Sequence, residues 1–465
     1  MSNGLERKYG LFTAICMVVG IVIGSGVFFK AQTILQKTGG DMPIGILAWL
    51  IGGAIMLVCL LTFSFMGQKY ERCNGVVDYA EATVGSRYGY YMGWFMTTIY
   101  YPAMTSVLAW VSARYTMEFF VAVGLPLSEG SNPITGPECM MLTLFFLCGA
   151  YAINTLSPKL AGIFQTSTTV IKLIPLALMM VVGVAYGLIN GTLAENFVTK
   201  AVVTGGISSD PLFAGVCATA FAYEGWIIAT AINAELKDSK KNLPRALIVG
   251  GIVIVAVYLF YYIGVAGGAS NQELIEIGAQ VAFTNIFGNV LGNILKLFIA
   301  VSCLGTLNGL MLGCSRGMYS IAMRKEGPAP EMFSQVDRFT NMPNNSSVFA
   351  LIVTAAWLLY FYVTNLYLPG VGIANKAFMF DSSELPIITI YLMYLPIFFQ
   401  WMRKQKGENV MRRFVLPILA TIGSVFMVIA CIFSHRMGCL WYLLVFLVVM
   451  FIGHLVNRSD KKKIQ

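Results

Sequence analysis

Two short segments of the chain combine helix-breaking residues with groups that can bind a charged ligand. The first lies at residues 20–28, where Gly24, Ser25 and Gly26 interrupt a long apolar stretch. Glycine is a poor helix former, and the free N–H groups at the start of a helix attract anions such as a carboxylate. The alternative is purely structural, because small residues also allow two membrane helices to pack closely.

The second segment places a carboxylate in the middle of an apolar stretch. Phe221, Ala222, Tyr223 and Glu224 follow one another there, and Gly225 comes next. A charged side chain at the centre of a membrane costs at least about 2.5–3.5 kcal/mol, so Glu224 is expected to face a cavity or another helix rather than lipid. It either takes part in ligand binding or forms a structural pair with a second helix.

Other ionisable residues also lie within or beside apolar stretches. Lys172 is roughly fifteen positions from the start of its stretch, too far for its side chain to reach the membrane surface, so its ammonium needs partners inside the protein. Asp381 and Glu384 are three positions apart and share one face of a helix. They either line a pathway through the protein or form a structural cluster with basic residues such as Lys296.

The composition indicates which elements must hold these residues. Of the 465 residues, 57% are hydrophobic and only 11% are charged, whereas soluble domains carry about 25% charged residues. This excludes a soluble enzyme and a nucleic-acid-binding protein. A membrane-spanning helix needs about 20 apolar residues, and twelve apolar stretches of adequate length lie at about residues 11–37, 43–68, 88–122, 138–155, 158–190, 210–235, 244–268, 287–324, 346–366, 376–402, 412–434 and 438–457.

We therefore predict an all-α polytopic membrane protein with about twelve transmembrane helices. The ten cysteines are scattered without a C-x-x-C motif, and the only histidines are His435 and His454, which argues against a disulfide framework or a metal site. A membrane-embedded enzyme would need a nucleophile with a base or a metal cluster, and the sequence offers neither. We expect no enzymatic activity and no cofactor.

The distribution of basic residues predicts the orientation of the helices. Most lysines and arginines fall in alternate loops, on the side that also holds the amino terminus. Basic residues gather on the cytoplasmic side of a membrane. We therefore expect both termini in the cytoplasm and a location in the inner or plasma membrane, with the lipid bilayer as the surrounding partner.

The two interrupted stretches are the first and the sixth of the twelve. Interruptions at corresponding positions of two five-helix halves are typical of secondary transporters built from inverted repeats. We predict a transport core at residues 1–402, with spans one to five at about 11–190 and spans six to ten at about 210–402. Residues 403–465 would then hold two appended spans and a cytoplasmic tail.

Three segments together resemble a known family. They are residues 20–28 (GIVIGSGVF), residues 221–226 (FAYEGW) with the later ELK and NLPRA, and residues 302–309 (SCLGTLNG) with Ser315 and Arg316 after them. This combination resembles the amino acid–polyamine–organocation transporters, particularly the L-type branch and the bacterial serine/threonine and alanine-serine-cysteine exchangers. The resemblance covers at least the first ten spans and implies a five-plus-five inverted-repeat fold with broken helices one and six.

The resemblance implies a site for the two main-chain groups of an amino acid. The backbone of residues 24–26 binds the α-carboxylate, carbonyl groups at residues 22–23 and 221–222 receive the α-amino group, and Phe221 covers the substrate. The predicted substrate-binding residues are Val22, Ile23, Gly24, Ser25, Gly26, Phe221, Ala222, Tyr223 and Glu224.

The resemblance also assigns residues to gating and coupling. Lys172 lies where sodium-coupled relatives of this fold hold a sodium ion between spans one and eight, so a fixed positive charge would replace the ion. Ser302 and Thr306 are the expected oxygen partners. Tyr258 matches a family tyrosine of span seven that hydrogen-bonds near this network, while Phe221 and Glu224 complete the predicted gating set. Tyr258 is otherwise an ordinary membrane tyrosine.

We expect a sodium-independent exchanger of neutral L-amino acids that works by alternating access. The alternative is a proton-coupled transporter of cationic amino acids or amines with Glu224 as proton carrier, which the additional carboxylates Asp381 and Glu384 would favour. Animal L-type members are linked to a heavy chain through a cysteine after span three. The corresponding loop here contains no cysteine, and Cys139 lies beyond it, so we expect no disulfide-linked heavy chain.

Overall fold

The computed structural model describes residues 10–24, 26–70, 75–128, 131–202, 210–228, 230, 236–373 and 377–463. Within these ranges the chain consists of α-helices joined by turns, and no β-strand is present. The prediction of an all-α protein is confirmed. Ser25, which the sequence analysis assigns to the carboxylate site, lies outside the described residues.

The first half of the chain begins with two short helices in close succession. Its helices are α1 (Leu11–Val22), α2 (Gly26–Lys37), α3 (Met42–Lys69), α4 (Val76–Thr83), α5 (Ser86–Phe95), α6 (Tyr101–Ala122), α7 (Pro137–Leu156), α8 (Pro158–Leu178), α9 (Val184–Asn190) and α10 (Thr192–Val198). Wider helical turns of the π type, Met96–Tyr100 and Met179–Gly183, join α5 to α6 and α8 to α9. Such turns are frequent at functional sites. The first one ends at Tyr100, which lines a cavity inside the helix bundle.

The second half opens with another short helix. Its helices are α11 (Pro211–Ala222), α12 (Ser239–Gly268), α13 (Asn271–Glu276), α14 (Ala279–Ala322), α15 (Pro330–Phe333), α16 (Asn344–Phe361), α17 (Leu368–Gly370) and α18 (Leu385–Lys404), and the chain continues with α19 (Leu416–His435) and α20 (Met437–Lys463). Gly288 has a φ of +82° and divides α14 into two helices. The second of these begins where the sequence predicts span eight.

The described residues form ten helical segments that are long and apolar enough to cross a membrane, or eleven if the pair α1–α2 is one span. The remaining predicted stretch, residues 88–122 (the third along the chain), is helical as α5–α6 but is less apolar. Its buried hydroxyl groups, such as those of Thr105, Ser106 and Ser112, donate to carbonyl groups of their own helix. Since neighbouring helices enclose it, this span does not need an apolar surface toward lipid.

Both predicted helix interruptions are present. The axes of α1 and α2 differ by 42°, and Ile23 after α1 is extended with φ −70° and ψ 95°. Helix α11 ends at Ala222, and a turn follows in which Gly225 has a φ of +101°. Only glycine adopts that backbone conformation without strain, which explains why a glycine follows the carboxylate of Glu224.

The two interrupted helices lie inside the bundle. Helix α1 contacts α8, α12 and α14, while α11 contacts α2, α3 and α19. Helix α20 lies at the periphery, where only 11% of its apolar segment is buried. It is held to α5 by two bonds to its carbonyl groups, from Trp94 Nε1 to Val449 (2.9 Å) and from the Tyr90 hydroxyl to Gly453 (2.7 Å).

Candidate functional site

The interruptions of α1–α2 and α11 face each other at close range. A β-carbon on Gly26 would lie 2.5 Å from the Cα atom of Ala222, and one on Gly225 would lie 3.1 Å from the Ile21 side chain. The first contact leaves no room for a larger residue, and the second would force the Ile21 side chain to shift. The carboxyl ends of α1 and α11, with carbonyl groups that lack a partner within their own helix, and the amino end of α2, with its free N–H groups, therefore meet in one small region.

Tyr258 of α12 joins the two helix ends. Its hydroxyl oxygen lies 2.8 Å from the carbonyl oxygen of Val22 and 2.9 Å from that of Ala222. A tyrosine hydroxyl has one hydrogen, so it donates to one carbonyl at a time. The ring is fully buried and packs against Trp49 and Tyr223, with ring centroids 5.4 Å and 5.2 Å away. Tyr258 thus contacts both groups of carbonyls that the sequence analysis assigns to an α-amino group.

A small cavity opens beside this junction. It is mostly apolar, and its polar side chains come from Tyr100, Glu224 and Thr306. The complete lining is Ile21, Val22, Gly24, Gly26, Tyr100, Met104, Leu108, Phe221, Glu224, Gly225, Thr306 and Leu310.

The predicted substrate residues are distributed unevenly around this cavity. Val22, Gly24, Gly26, Phe221 and Glu224 line it, and Ala222 borders the junction through its carbonyl group. Two others among the described residues are not part of its lining. Ile23 is fully buried, and the hydroxyl of Tyr223 donates to the carbonyl of Trp49 at 3.0 Å.

Glu224 is the acidic residue of the cavity. It is 8% exposed, and the hydroxyl of Tyr100 donates to its carboxylate. No described lysine, arginine or histidine forms an ion pair with it. Sequence reasoning did not single out Tyr100, although it occupies a Thr-Thr-Ile-Tyr-Tyr segment that is unusually polar for a membrane span.

Lys172 is completely buried in α8 and reaches the first interrupted helix. Its Nζ atom donates to the carbonyl oxygen of Gly20 at 2.5 Å, two residues before the end of α1. Among the described residues this is its only hydrogen bond. The ammonium therefore supports α1 directly beside the interruption.

The two expected oxygen partners of Lys172 lie on α14 but do not hydrogen-bond to it. Within the described part of the chain the hydroxyl of Ser302 has no hydrogen-bond partner. The hydroxyl of Thr306 donates to the Ser302 carbonyl at 3.3 Å, and a β-carbon on Gly24 would lie 2.6 Å from it. Thr306 thus packs against the α1–α2 interruption and lines the cavity.

An ion-pair cluster lies on one side of Phe221. Lys30 of α2 has its Nζ atom 5.1 Å from the centre of the Phe221 ring and pairs with Glu384. Glu384 is 1% exposed and also contacts Lys37 Nζ (3.4 Å) and His435 Nε2 (2.9 Å). Phe221 therefore separates the cavity from a buried network that connects α2 to the start of α18 and the end of α19.

The remaining pathway candidates have separate partners. The carboxylate of Asp381 accepts from the backbone N–H groups of Ser383 and Glu384, at 2.7 and 3.1 Å, and so closes the turn before α18. Lys296 Nζ lies 3.4 Å from the carbonyl oxygen of Glu118. Arg114 pairs with the carboxylate of Glu118 at 2.7 Å. Of the two alternatives for Asp381 and Glu384, the structural cluster is present for Glu384, but with Lys30, Lys37 and His435 instead of Lys296.

Membrane-length helices, two of which are interrupted where they meet a central cavity, define a secondary transporter. The amino acid permease family matches residues 9–454. The chain belongs to the amino acid permease family.

Comparisons with individual proteins agree with this assignment. The chain is 31% identical over 447 residues to the serine/threonine exchanger SteT of Bacillus subtilis (strain 168), covering 94% of both proteins. It is 25% identical over 448 residues to the large neutral amino acids transporter small subunit 2 of Rattus norvegicus. It is 23% identical over 439 residues to the Asc-type amino acid transporter 1 of Mus musculus. Each of these two matches covers 94% of this chain and 78% of the relative.

A solved structure supports the fold. The crystal structure of MhsT in complex with L-phenylalanine superposes with a TM-score of 0.60 at 14% sequence identity, over 93% of this chain and 100% of that one. The chain is therefore a polytopic membrane transporter of amino acids, built from inverted repeats, and not an enzyme.

Proposed function

We propose that this permease is a sodium-independent exchanger of neutral L-amino acids that works by alternating access. The observation that carries the proposal is the meeting of two carbonyl-bearing helix ends, at Val22 and Ala222, with the N–H groups at the start of α2 beside one cavity. These groups match the ammonium and the carboxylate of an amino acid. The mostly apolar lining favours an uncharged side chain.

In this proposal the substrate carboxylate binds the backbone at residues 24–26, and the ammonium binds the carbonyls at residues 22–23 and 221–222. Tyr258 donates to the same carbonyls, so an incoming ammonium competes with its hydroxyl for them. Phe221 covers the substrate. SteT is named as a serine/threonine exchanger and the relative from Rattus norvegicus as a transporter of large neutral amino acids, which supports a neutral substrate.

Sodium independence rests on Lys172. Its ammonium lies against the Gly20 carbonyl, fully buried between α8 and α1. A positive charge at that position would lower the affinity for a second cation, because two unscreened charges repel strongly in a low-dielectric interior. The same contact stabilises α1 without any bound ion.

The membrane arrangement completes the proposal. The basic loops support a location in the inner or plasma membrane with both termini in the cytoplasm. The transport core comprises residues 1–402, and residues 403–465 form an appended pair of helices. The peripheral position of α20 supports that division. We propose that no disulfide-linked heavy chain is required, since the loop between α6 and α7 lacks a cysteine and Cys139 is fully buried.

Glu224 supports a second candidate function, proton-coupled transport of cationic amino acids or amines. It is the acidic residue of the cavity, and no described basic residue neutralises it. A buried carboxylate without an ion-pair partner can exchange a proton with the surroundings. A substrate ammonium or guanidinium could also pair with it.

Uptake into proteoliposomes of the purified protein distinguishes the two functions. Labelled alanine, serine, leucine, arginine and putrescine are offered to vesicles that are empty or preloaded with the same compound, with and without sodium. Uptake of a neutral amino acid only into preloaded vesicles, unchanged by sodium, supports the exchanger. Uptake of arginine or putrescine into empty vesicles, driven by a proton gradient, overturns it in favour of the second function.

A further inference from the structure

Folding brings together residues that the sequence keeps far apart. Cys217 of α11, Cys431 and His435 of α19 each place a potential ligand atom within 4.8 Å of the other two. Cys439, at the start of α20, has its Sγ atom 3.8 Å from that of Cys431. Scattered cysteines argue against a metal site in the sequence, but folding brings three of these side chains together and places the sulfur of Cys439 beside one of them.

The spacing of the sulfurs fits metal coordination. Zinc binds cysteine sulfur at about 2.3 Å in a tetrahedral site, which places two such sulfurs about 3.8 Å apart. The distance between Cys431 and Cys439 has this value, far longer than the roughly 2.05 Å of a disulfide bond. Three cysteines and one histidine are a common ligand set of structural zinc sites, and thiolates select soft metal ions over magnesium or calcium.

A carboxylate lies directly beside the cluster. Glu384 lies 2.9 Å from His435 Nε2 and 3.7 Å from the Cys217 Sγ atom. Histidines that bind zinc commonly have a carboxylate partner of this kind. Glu384 also pairs with Lys30 and Lys37, so its charge is shared between the histidine and these lysines.

We infer that Cys217, Cys431, His435 and Cys439 form a binding site for a thiophilic divalent metal ion, with Zn²⁺ as the best match. A bound ion would join α11 to α19 and α20. Since α11 ends at the residues that border the substrate cavity, the metal would fix the position of one wall of that cavity. This inference does not depend on which amino acid is transported.

Cobalt binding tests the site directly. Purified full-length protein is reduced, freed of metal with a chelator and titrated with Co²⁺. Tetrahedral thiolate coordination gives a sulfur-to-cobalt charge-transfer band and intense visible bands, which Zn²⁺ should abolish at one equivalent. The Cys217→Ala, Cys431→Ala and His435→Gln variants should lose the bands, whereas Cys148→Ala, at an exposed cysteine of α7, should keep them.

Affinity and stability provide the second readout. Removing a residue that merely hydrogen-bonds to a metal ligand lowers the metal affinity by about 10- to 100-fold. Removal of a ligand itself should therefore weaken Zn²⁺ binding by at least about 100-fold. Zn²⁺ should raise the melting temperature of the wild-type and Cys148→Ala proteins only, since a ligand stabilises the state that binds it. Amino-acid exchange by the variants shows that they are folded.

Three results would overturn the inference. The first is the absence of cobalt bands in the reduced wild-type protein. The second is a band of equal intensity in the Cys217→Ala and Cys431→Ala variants, provided that these variants still exchange amino acids. The third is a Cys431–Cys439 disulfide in protein isolated without reductant, found by mass spectrometry of its peptides, because that bond would remove two ligands.

Discussion

The Nζ atom of Lys172 lies 2.5 Å from the carbonyl oxygen of Gly20, and this hydrogen bond connects the middle of α8 to the end of α1. Replacement by methionine keeps the length of the side chain but removes the charge. A hydrogen bond to a charged group contributes about 1.5–3 kcal/mol, so we expect exchange by Lys172→Met to fall by roughly 10- to 100-fold. Initial rates in preloaded proteoliposomes measure this loss.

Lys159→Met is the matched control, because Lys159 is an exposed lysine on the same helix. Its exchange rate should stay within about twofold of the wild type, as surface substitutions usually change stability by no more than 0.5 kcal/mol. Equal rates for Lys172→Met and the wild type would show that the buried ammonium does not support transport.

Tyr258 contributes one hydroxyl to two carbonyl groups. Tyr258→Phe removes a hydrogen bond worth about 1 kcal/mol. The carbonyls of Val22 and Ala222 then receive no hydrogen bond from residue 258, whether or not substrate is bound. We expect a lower rate of exchange at saturating substrate, by about fivefold, since the empty site loses its internal donor. The matched control is Tyr262→Phe on the same helix, whose hydroxyl has no partner among the described residues. Similar losses in both variants would contradict a specific role for the Tyr258 hydroxyl.

The carboxylate of Glu224 is needed in only one of the two candidate functions. The proposed exchange of neutral amino acids does not require its proton, so Glu224→Gln should exchange alanine or serine within about threefold of the wild type at each pH tested. Tyr100→Phe, which removes the donor to this carboxylate, should behave in the same way. Complete loss of uptake in Glu224→Gln, together with loss of wild-type uptake on addition of a protonophore, would favour proton coupling.

Gly26 has no space for a side chain. A β-carbon there would lie 2.5 Å from the Cα atom of Ala222, and overpacking of this kind typically costs about 1–3 kcal/mol. We expect Gly26→Ala to abolish exchange because the two helix ends must move apart. Gly162→Ala on α8 is the control, since a β-carbon there meets nothing within 4 Å. A scintillation proximity assay of amino-acid binding distinguishes lost binding from lost transport.

Glu384 neutralises a buried cluster. Removal of one partner from a buried ion pair costs about 3–5 kcal/mol, so Glu384→Gln should lower the melting temperature markedly in detergent. Glu408→Gln disrupts a half-buried pair at the protein surface with Arg412, at 4.0 Å, and surface pairs contribute only about 0–1 kcal/mol. Thermal unfolding followed by intrinsic fluorescence compares the two variants. Equal melting temperatures would show that Lys30 and Lys37 do not depend on Glu384.

The local features of the site could be predicted from the sequence, whereas its long-range contacts could not. Gly24 and Gly225 break helices through their own backbone preferences, so their positions were evident from residue type. The partner of Lys30 is Glu384, 354 positions away, and only the tertiary fold determines that pair. Tyr223 was expected at the substrate site, but after the end of α11 the helical periodicity no longer predicts where a side chain points.

The span count shows the same limit. Residues 88–122 were recognised as a span by length, although their buried hydroxyl groups make them less apolar than the other helices. A helix needs a high hydropathy where it contacts lipid, and this helix contacts mainly protein. Helix α20 is the opposite case, apolar and little buried, and its sequence predicted it without difficulty.

The carbonyl groups that meet Tyr258 belong to the backbone, and this has a consequence for how the permease can change over generations. A substitution can alter any side chain around the cavity, but no substitution deletes the carbonyl of Val22 or Ala222. In the proposed site, recognition of the part common to all amino acids is therefore protected from mutation, while the choice among side chains remains open to it. New specificities could arise by single replacements at Met104, Leu108 or Leu310 without rebuilding the machinery that moves the substrate.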